Sequence, residues 1–195
     1  VVLGHVRQAS PEFEKTIEHK ECTQPYKPLC PYNFNLVSAH NGIVQNYLDL
    51  KDKLNTSHSF ESQKVKKIID SEVIPHLFEE LLSESGDARK ATHALFEQIE
   101  GSNMHGNTAA IIYANKGVAH LNVIHKGKTR GLIIWTSPKN EVLLCSREQP
   151  VEKVLNKLMR ESNFKKIVEI SHKDSVNLEA HFSLNLLEPQ KSTQT

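Results

Sequence analysis

Apolar positions in this chain fall in short blocks whose spacing switches from strand-like to helical and back. Val1 to Arg7 reads as a buried strand. Pro11 through Pro31 is polar and broken by Pro25, Pro28 and Pro31, which exclude regular helix, so an irregular excursion is expected up to Asn35. Leu36–Ala39 is a strand that runs into Asn41-Gly42. From Ile43 to Leu54, the positions Val44, Tyr47, Leu48 and Leu54 recur near a helical period and predict a helix beginning directly after the glycine. Asn55–Gln63 is a polar loop. Asp70-Ser71-Glu72 then precedes Val73, Ile74, Leu77, Phe78, Leu81 and Leu82, an amphipathic helix capped by Asp or Ser and closed by Ser85-Gly86. Asp87 caps a third helix with Ala88, Ala91, Leu95 and Ile99 on its core face, ending at Gly101.

Beyond Gly101 the period changes to two. Thr108–Tyr113, Val118–Ile124, Leu132–Thr136 and Val142–Cys145 read as strands joined by turn-forming residues. A helix over Pro150–Met159 follows, then strands at Lys166–Ile170 and Asn177–Phe182. Helices that must cover apolar sheet faces imply an α+β layered domain over residues 1–187, with 188–195 a polar tail and no internal linker. Val1 has no preceding Met and stands inside a strand pattern, so a longer protein with an upstream segment is expected.

Composition narrows the function classes. Lys+Arg 24 against Asp+Glu 23 leaves a net charge of +1, which argues against nucleic acid and anionic membrane as partners. The basic cluster Lys64-Val65-Lys66-Lys67 reads as a solvated face. No apolar run approaches the roughly 20 residues of a membrane span, and no signal peptide opens the chain. Three cysteines are too few and odd in number for a disulfide framework, which points to a reducing cytoplasm. A homo-oligomer is compatible with all of this.

Three short patterns could carry chemistry. In Gly4-His5-Val6-Arg7-Gln8-Ala9-Ser10, a guanidinium at a strand end can clamp a carboxylate, with the Ser10 hydroxyl as a further donor. In His40-Asn41-Gly42, a side-chain amide and a backbone N–H form two neutral donors suited to an oxyanion. Asp70 at a helix mouth can accept from an ammonium group. Each has a plain structural reading too: a surface ion pair, a hairpin turn and an N-cap. Together they describe a pocket for a zwitterion. Cys22 and Cys30, with His19 nearby, have a C-x7-C spacing that does not match zinc motifs, so neither metal nor cofactor is expected. His5 and His40 read as structural groups, Cys145 as a buried apolar residue and Trp135 as core or interface.

The ordered motifs resemble the class II (N-terminal nucleophile) glutamine amidotransferase domain, nearest to its glucosamine-6-phosphate synthase type. The matching residues are Gly4-His5-x-Arg7-x-Ala9-Ser10, Gln24-Pro25, His40-Asn41-Gly42-Ile43-Val44-x-Asn46-Tyr47-x-x-Leu50, Asp70-Ser71-Glu72-Val73-Ile74-x-His76-Leu77 and Gln98–Ser102. The resemblance covers roughly residues 1–150 and implies a four-layer αββα sandwich. It implies that Arg7 and Ser10 bind the α-carboxylate of L-glutamine, that Asp70 holds its α-ammonium, and that Asn41 and Gly42 form the oxyanion hole. The amide would be hydrolysed to glutamate and ammonia for a partner synthase or transferase domain. The family's nucleophile is an N-terminal Cys, whereas residue 1 here is Val, so that Cys is expected upstream and this chain alone is expected to be inactive. Pro11 stands where the family has His-Gly, and the Pro11–Asn35 excursion is unlike the common form. An inactive glutamine-binding or regulatory module of the same fold is the alternative.

Overall fold

Two faces of one antiparallel sheet organise the molecule. A computed structural model describes residues 1–6, 9–28, 30, 32, 34–55, 57–101, 105–128 and 130–185. The larger sheet has the order β1-β2-β3-β7, with β1 at Asn35–Gly42, β2 at Asn107–Asn115, β3 at Val118–Lys126 and β7 at Leu178–Asn185. A smaller antiparallel sheet has the order β5-β4-β6, with β4 at Leu132–Thr136, β5 at Val142–Cys145 and β6 at Lys165–Ile170. The helices are α1 (Tyr47–Lys53), α2 (Asp70–Ser85), α3 (Ala88–Gln98) and α4 (Glu148–Glu161).

Strand alternation explains the layering. Leu36, Ala109, Ile111 and Ile124 point to one face of the larger sheet and pack with Val73, Ile74, Leu77, Phe78, Ala91 and Leu95 of α2 and α3. Their neighbours Val37, Ala110, Ile112 and Val123 point the other way and meet Leu132, Ile134 and Ile170 of the smaller sheet. Strand β2 is therefore buried along most of its length, as a strand covered on both faces must be. On β4, Ile133 and Trp135 are buried on the face opposite Leu132 and Ile134, which makes Trp135 a core residue. The result is mixed helix and antiparallel sheet, stacked helix on sheet on sheet. No helix among the described residues is long and apolar enough to cross a membrane.

Most expected elements form, several longer by a few residues. Helix α2 ends as its sequence foretells, with Gly86 left-handed (φ +65°) and its N–H on the Leu82 carbonyl. Asp87 caps α3 by accepting from Arg89 N–H and Lys90 N–H at 2.8 and 3.0 Å. Those two bonds hold its carboxyl below the ordinary value.

Three expectations change. Residues 1–6 form no strand: Val2 and Val6 are exposed and only Leu3 touches the inter-sheet core. An apolar run becomes a strand only where a neighbour offers free backbone groups in register, and no described strand pairs with it. The first helix starts at Tyr47 rather than Ile43, because residues 44–46 use their polar groups elsewhere. Val44 N–H donates to Asp70, Gln45 N–H to the Glu100 carbonyl, and the Asn46 amide bridges the Gln98 carbonyl and Glu100 N–H. Cys145 is half-buried rather than buried, with its thiol on the Arg147 carbonyl at 2.9 Å.

Candidate functional site

Strand β1 carries the central pair. Asn41 lies opposite Thr108 and Gly42 opposite Asn107 in the ladder with β2, so the dipeptide ends a strand and is not a hairpin turn. Gly42 has φ +157°, and a Cβ there would come 2.5 Å from the Gly106 carbonyl oxygen and 2.6 Å from Asn107 Oδ1. Only glycine allows this approach. Among the described residues, the half-exposed Asn41 amide engages no hydrogen-bond partner.

Beneath the pair lies a buried polar network. The His40 ring, 2 % exposed, has Nδ1 2.8 Å from Ser71 Oγ and Nε2 2.8 Å from Asn107 Oδ1. An amide oxygen only accepts, so Nε2 donates and the neutral ring takes the Ser71 hydroxyl proton at Nδ1. Burial lowers the ring's pKa; the charge of Asp70 and the Asn107 contact oppose that, while Arg130 and His5 add to it. The His40 backbone is held as if by another strand: its N–H donates to Gln24 Oε1 at 2.5 Å and its carbonyl accepts from Gln24 Nε2 at 3.0 Å. Tyr26 pairs with Ser38 through two 2.9 Å backbone bonds, so the excursion covers the open edge of β1.

Asp70 arrives from the first turn of α2 and is 5 % exposed. Its Oδ2 accepts from Val44 N–H at 3.0 Å, two residues past Gly42. The cap at this helix start is Ile69, which offers no side-chain bond. The acidic residues of the first turn cap other segments instead: Asp70 serves the β1–α1 connection, and Glu72 takes Glu61 N–H, Ser62 N–H and the Ser62 hydroxyl. Ser10, half-buried, sits beside Ala9, which packs on the cluster of Phe13, Cys22, Tyr26 and Ile69. The excursion thus runs past the mouth of α2. Arg7 lies outside the described residues.

The structure unites Asn41, Gly42 and Asp70, carries Ser10 past the same helix mouth, and adds Arg130, which no motif marks, and His5, expected only as a structural group. Arg130, in the β3–β4 connection, and His5 lie within electrostatic reach of His40. Burial pulls the Arg130 guanidinium below its ordinary value. No local motif marks Arg130; only the stacking of the two sheets brings it here. Cys22, fully buried among Phe13, Tyr26 and Ile69, is apart from Cys30, which meets His58 and His76. The C-x7-C pair is therefore no shared site.

No protein-family model matches the chain. Curated relatives are glutamine–fructose-6-phosphate aminotransferases (isomerizing). The chain is 33 % identical to that of Sulfurisphaera tokodaii over 106 residues, 52 % of this chain and 15 % of the relative. It is 37 % identical to that of Helicobacter pylori over 99 residues, 48 % of this chain and 16 % of the relative. With that of Sulfolobus acidocaldarius it shares 30 % identity over 122 residues, 60 % of this chain and 18 % of the relative. The match thus spans less than a fifth of these relatives' length, and about half of this chain is similar to glutamine-using aminotransferases.

Proposed function

We propose that this chain is a class II glutamine amidotransferase domain that binds L-glutamine and stabilises the tetrahedral intermediate of amide hydrolysis. The observation that carries the reading is the meeting of Asn41-Gly42 with Asp70 at the end of β1, in a chain whose relatives are named for glutamine. In this reading the Asn41 amide and Gly42 N–H donate to the developing oxyanion. Asp70 takes the α-ammonium, and Arg7 with Ser10 takes the α-carboxylate. The helix–sheet–sheet stacking is compatible with three layers of a four-layer αββα sandwich. A cytoplasmic location and an ammonia-accepting synthase partner belong to the same proposal.

In this reading the attacking thiol is the family's N-terminal Cys, and turnover is conditional on the protein carrying it. A nucleophilic thiol needs surroundings that lower its pKa and leave it accessible. Cys22 is fully buried, and burial pushes the Cys30 and Cys145 thiols up. Pro11, standing where the family has His-Gly beside the carboxylate pocket, favours the second reading, a binding module without turnover.

Calorimetry with L-glutamine and assay of glutamate release, both on the complete protein, separate the two. Binding with turnover supports the enzyme, and binding without turnover the module. In the enzyme, Asn41→Ala lowers kcat about 10²- to 10³-fold with little change in KM. Absence of glutamine binding, or binding undisturbed by Asp70→Ala, overturns the pocket as described.

A further inference from the structure

Away from the end of β1, three distant stretches bring four metal-ligand groups together. Cys30 comes from the excursion, His58 from the loop after α1, and His76 and Glu79 from α2, where a spacing of three places them on one face. Cys30 Sγ is 2.8 Å from His58 Nδ1 and 2.9 Å from His76 Nδ1, and the two Nδ1 atoms are 3.2 Å apart. One ligand atom from each residue, a Glu79 oxygen included, lies within 4.8 Å of all the others. His76 is 1 % exposed and Glu79 0 %.

Protons serve this cluster poorly. His58 Nε2 lies 3.0 Å from Glu80 Oε2, and a carboxylate only accepts, so in the neutral ring the proton sits on Nε2 and Nδ1 turns a lone pair inward. Among the described residues neither Glu79 oxygen has a geometric hydrogen-bond partner, and the Cys30 thiol and Tyr32 feel its charge. At most two protons, the Cys30 S–H and the one N–H of a neutral His76 ring, therefore serve a sulfur, two ring nitrogens and a buried carboxylate. A buried carboxylate without a cation is costly.

We propose that Cys30, His58, His76 and Glu79 form a closed, four-ligand site for a divalent metal ion of the zinc class. One thiolate, two imidazoles and one carboxylate make a tetrahedral donor set typical of zinc. The thiolate and carboxylate carry two negative charges, so a dication leaves the buried site neutral. On binding, the Cys30 proton leaves to solvent as the sulfur–metal bond forms, and nothing is oxidised or reduced. Ordinary zinc bond lengths set the sulfur–nitrogen distances near about 3.5 Å, so the ligands spread by well under an ångström.

The surroundings fit. The His58–Glu80 contact is the carboxylate support that orients a metal-bound imidazole. Four protein ligands leave no open position, so the ion's role is structural. It staples the excursion to α2 just before the chain enters β1. The site is independent of the glutamine reading, since none of its ligands is a proposed glutamine contact.

The test is a metal titration of the whole chain. Protein stripped with a chelator is titrated with Co²⁺ and followed in the visible and near ultraviolet. Saturation at one equivalent, with strong four-coordinate visible bands, a thiolate-to-cobalt band and displacement by Zn²⁺, is expected. Cys30→Ser removes the thiolate band. Glu80→Gln keeps that band and weakens affinity about 10- to 100-fold. Both variants are compared with the parent by circular dichroism; if Cys30→Ser fails to fold, reaction of the parent's Cys30 with a thiol reagent, slowed by Zn²⁺, takes its place. Absence of saturable cobalt binding, a pale six-coordinate spectrum, or a spectrum unchanged in folded Cys30→Ser overturns the site.

Discussion

Helix α2 feeds two buried polar clusters that solve the same problem in opposite ways. At its first turn, Ser71 and Asp70 join His40 and Asn107, where the hydroxyl, imidazole and amide oxygen pass protons in one direction and Val44 N–H answers the carboxylate. About two turns later, His76 and Glu79 face Cys30 and His58, where two ring nitrogens and a carboxylate meet around one thiol. The first cluster links its hydroxyl, imidazole and amide oxygen through shared protons, with Asn107 Nδ2 left over as a donor. The second is complete only with a cation. Counting donors against acceptors therefore separates a proton-linked network from a cluster suited to a cation.

The largest effect should come from the metal. Stripping Zn²⁺ from a protein that had it at a thousandfold excess over its Kd should lower stability by about 4 kcal/mol, read from urea unfolding with and without chelator. Chelator that leaves the midpoint unchanged would erase the contrast. At the other cluster, Gly42→Ala forces a Cβ onto the Gly106 carbonyl and should cost about 1–3 kcal/mol, metal present or not. A neutral outcome in urea unfolding would mean that β1 and β2 do not approach as described. Asn46→Ala removes the amide bridge to Gln98 and Glu100, and about 1–2 kcal/mol is expected, with faster amide exchange at Gln45 and Glu100.

A finer probe is pH. His40 is neutral in the fold, its pKa held below the unfolded value of about 6.5, so the unfolded chain takes up the proton first. Its contribution is complete above that value and is lost as pH falls below about 6.5 toward the folded pKa. Unfolding midpoints across this range should drop less steeply in His40→Gln than in the parent. Asp70 next to the ring softens the effect, which makes it the smallest of the four.

Local signals located most of the scaffold. Gly86 stops α2 and Asp87 starts α3 through bonds within a few residues, so those boundaries are legible along the chain. Ile43–Asn46 is not, because its helical periodicity is overruled by bonds to Asp70 and Glu100, which lie 26 residues or more away. The apolar start at Val1 likewise predicts a strand that finds no described partner. Of the candidate glutamine site, the residue types Asn41, Gly42 and Asp70 are readable as motifs, but their meeting is not. Arg130 carries no motif at all. His76-x-x-Glu79 is a ligand-like spacing on a predicted helix, yet it means little until Cys30 and His58 arrive beside it.

The sequence by itself determined the order of helices and strands, the glycine that alone fits the end of β1, and the donor types that a glutamine pocket or a metal would use. Periodicity, capping and side-chain chemistry act over a few residues, and so they survive in a one-dimensional reading. Only the tertiary structure decided which of those groups became neighbours: Asp70 with the chain beyond Gly42, Arg130 with His40, Cys30 with two histidines. Contacts between residues tens of positions apart are set by how helix and sheet faces stack to bury apolar surface, and no short stretch of sequence encodes that stacking.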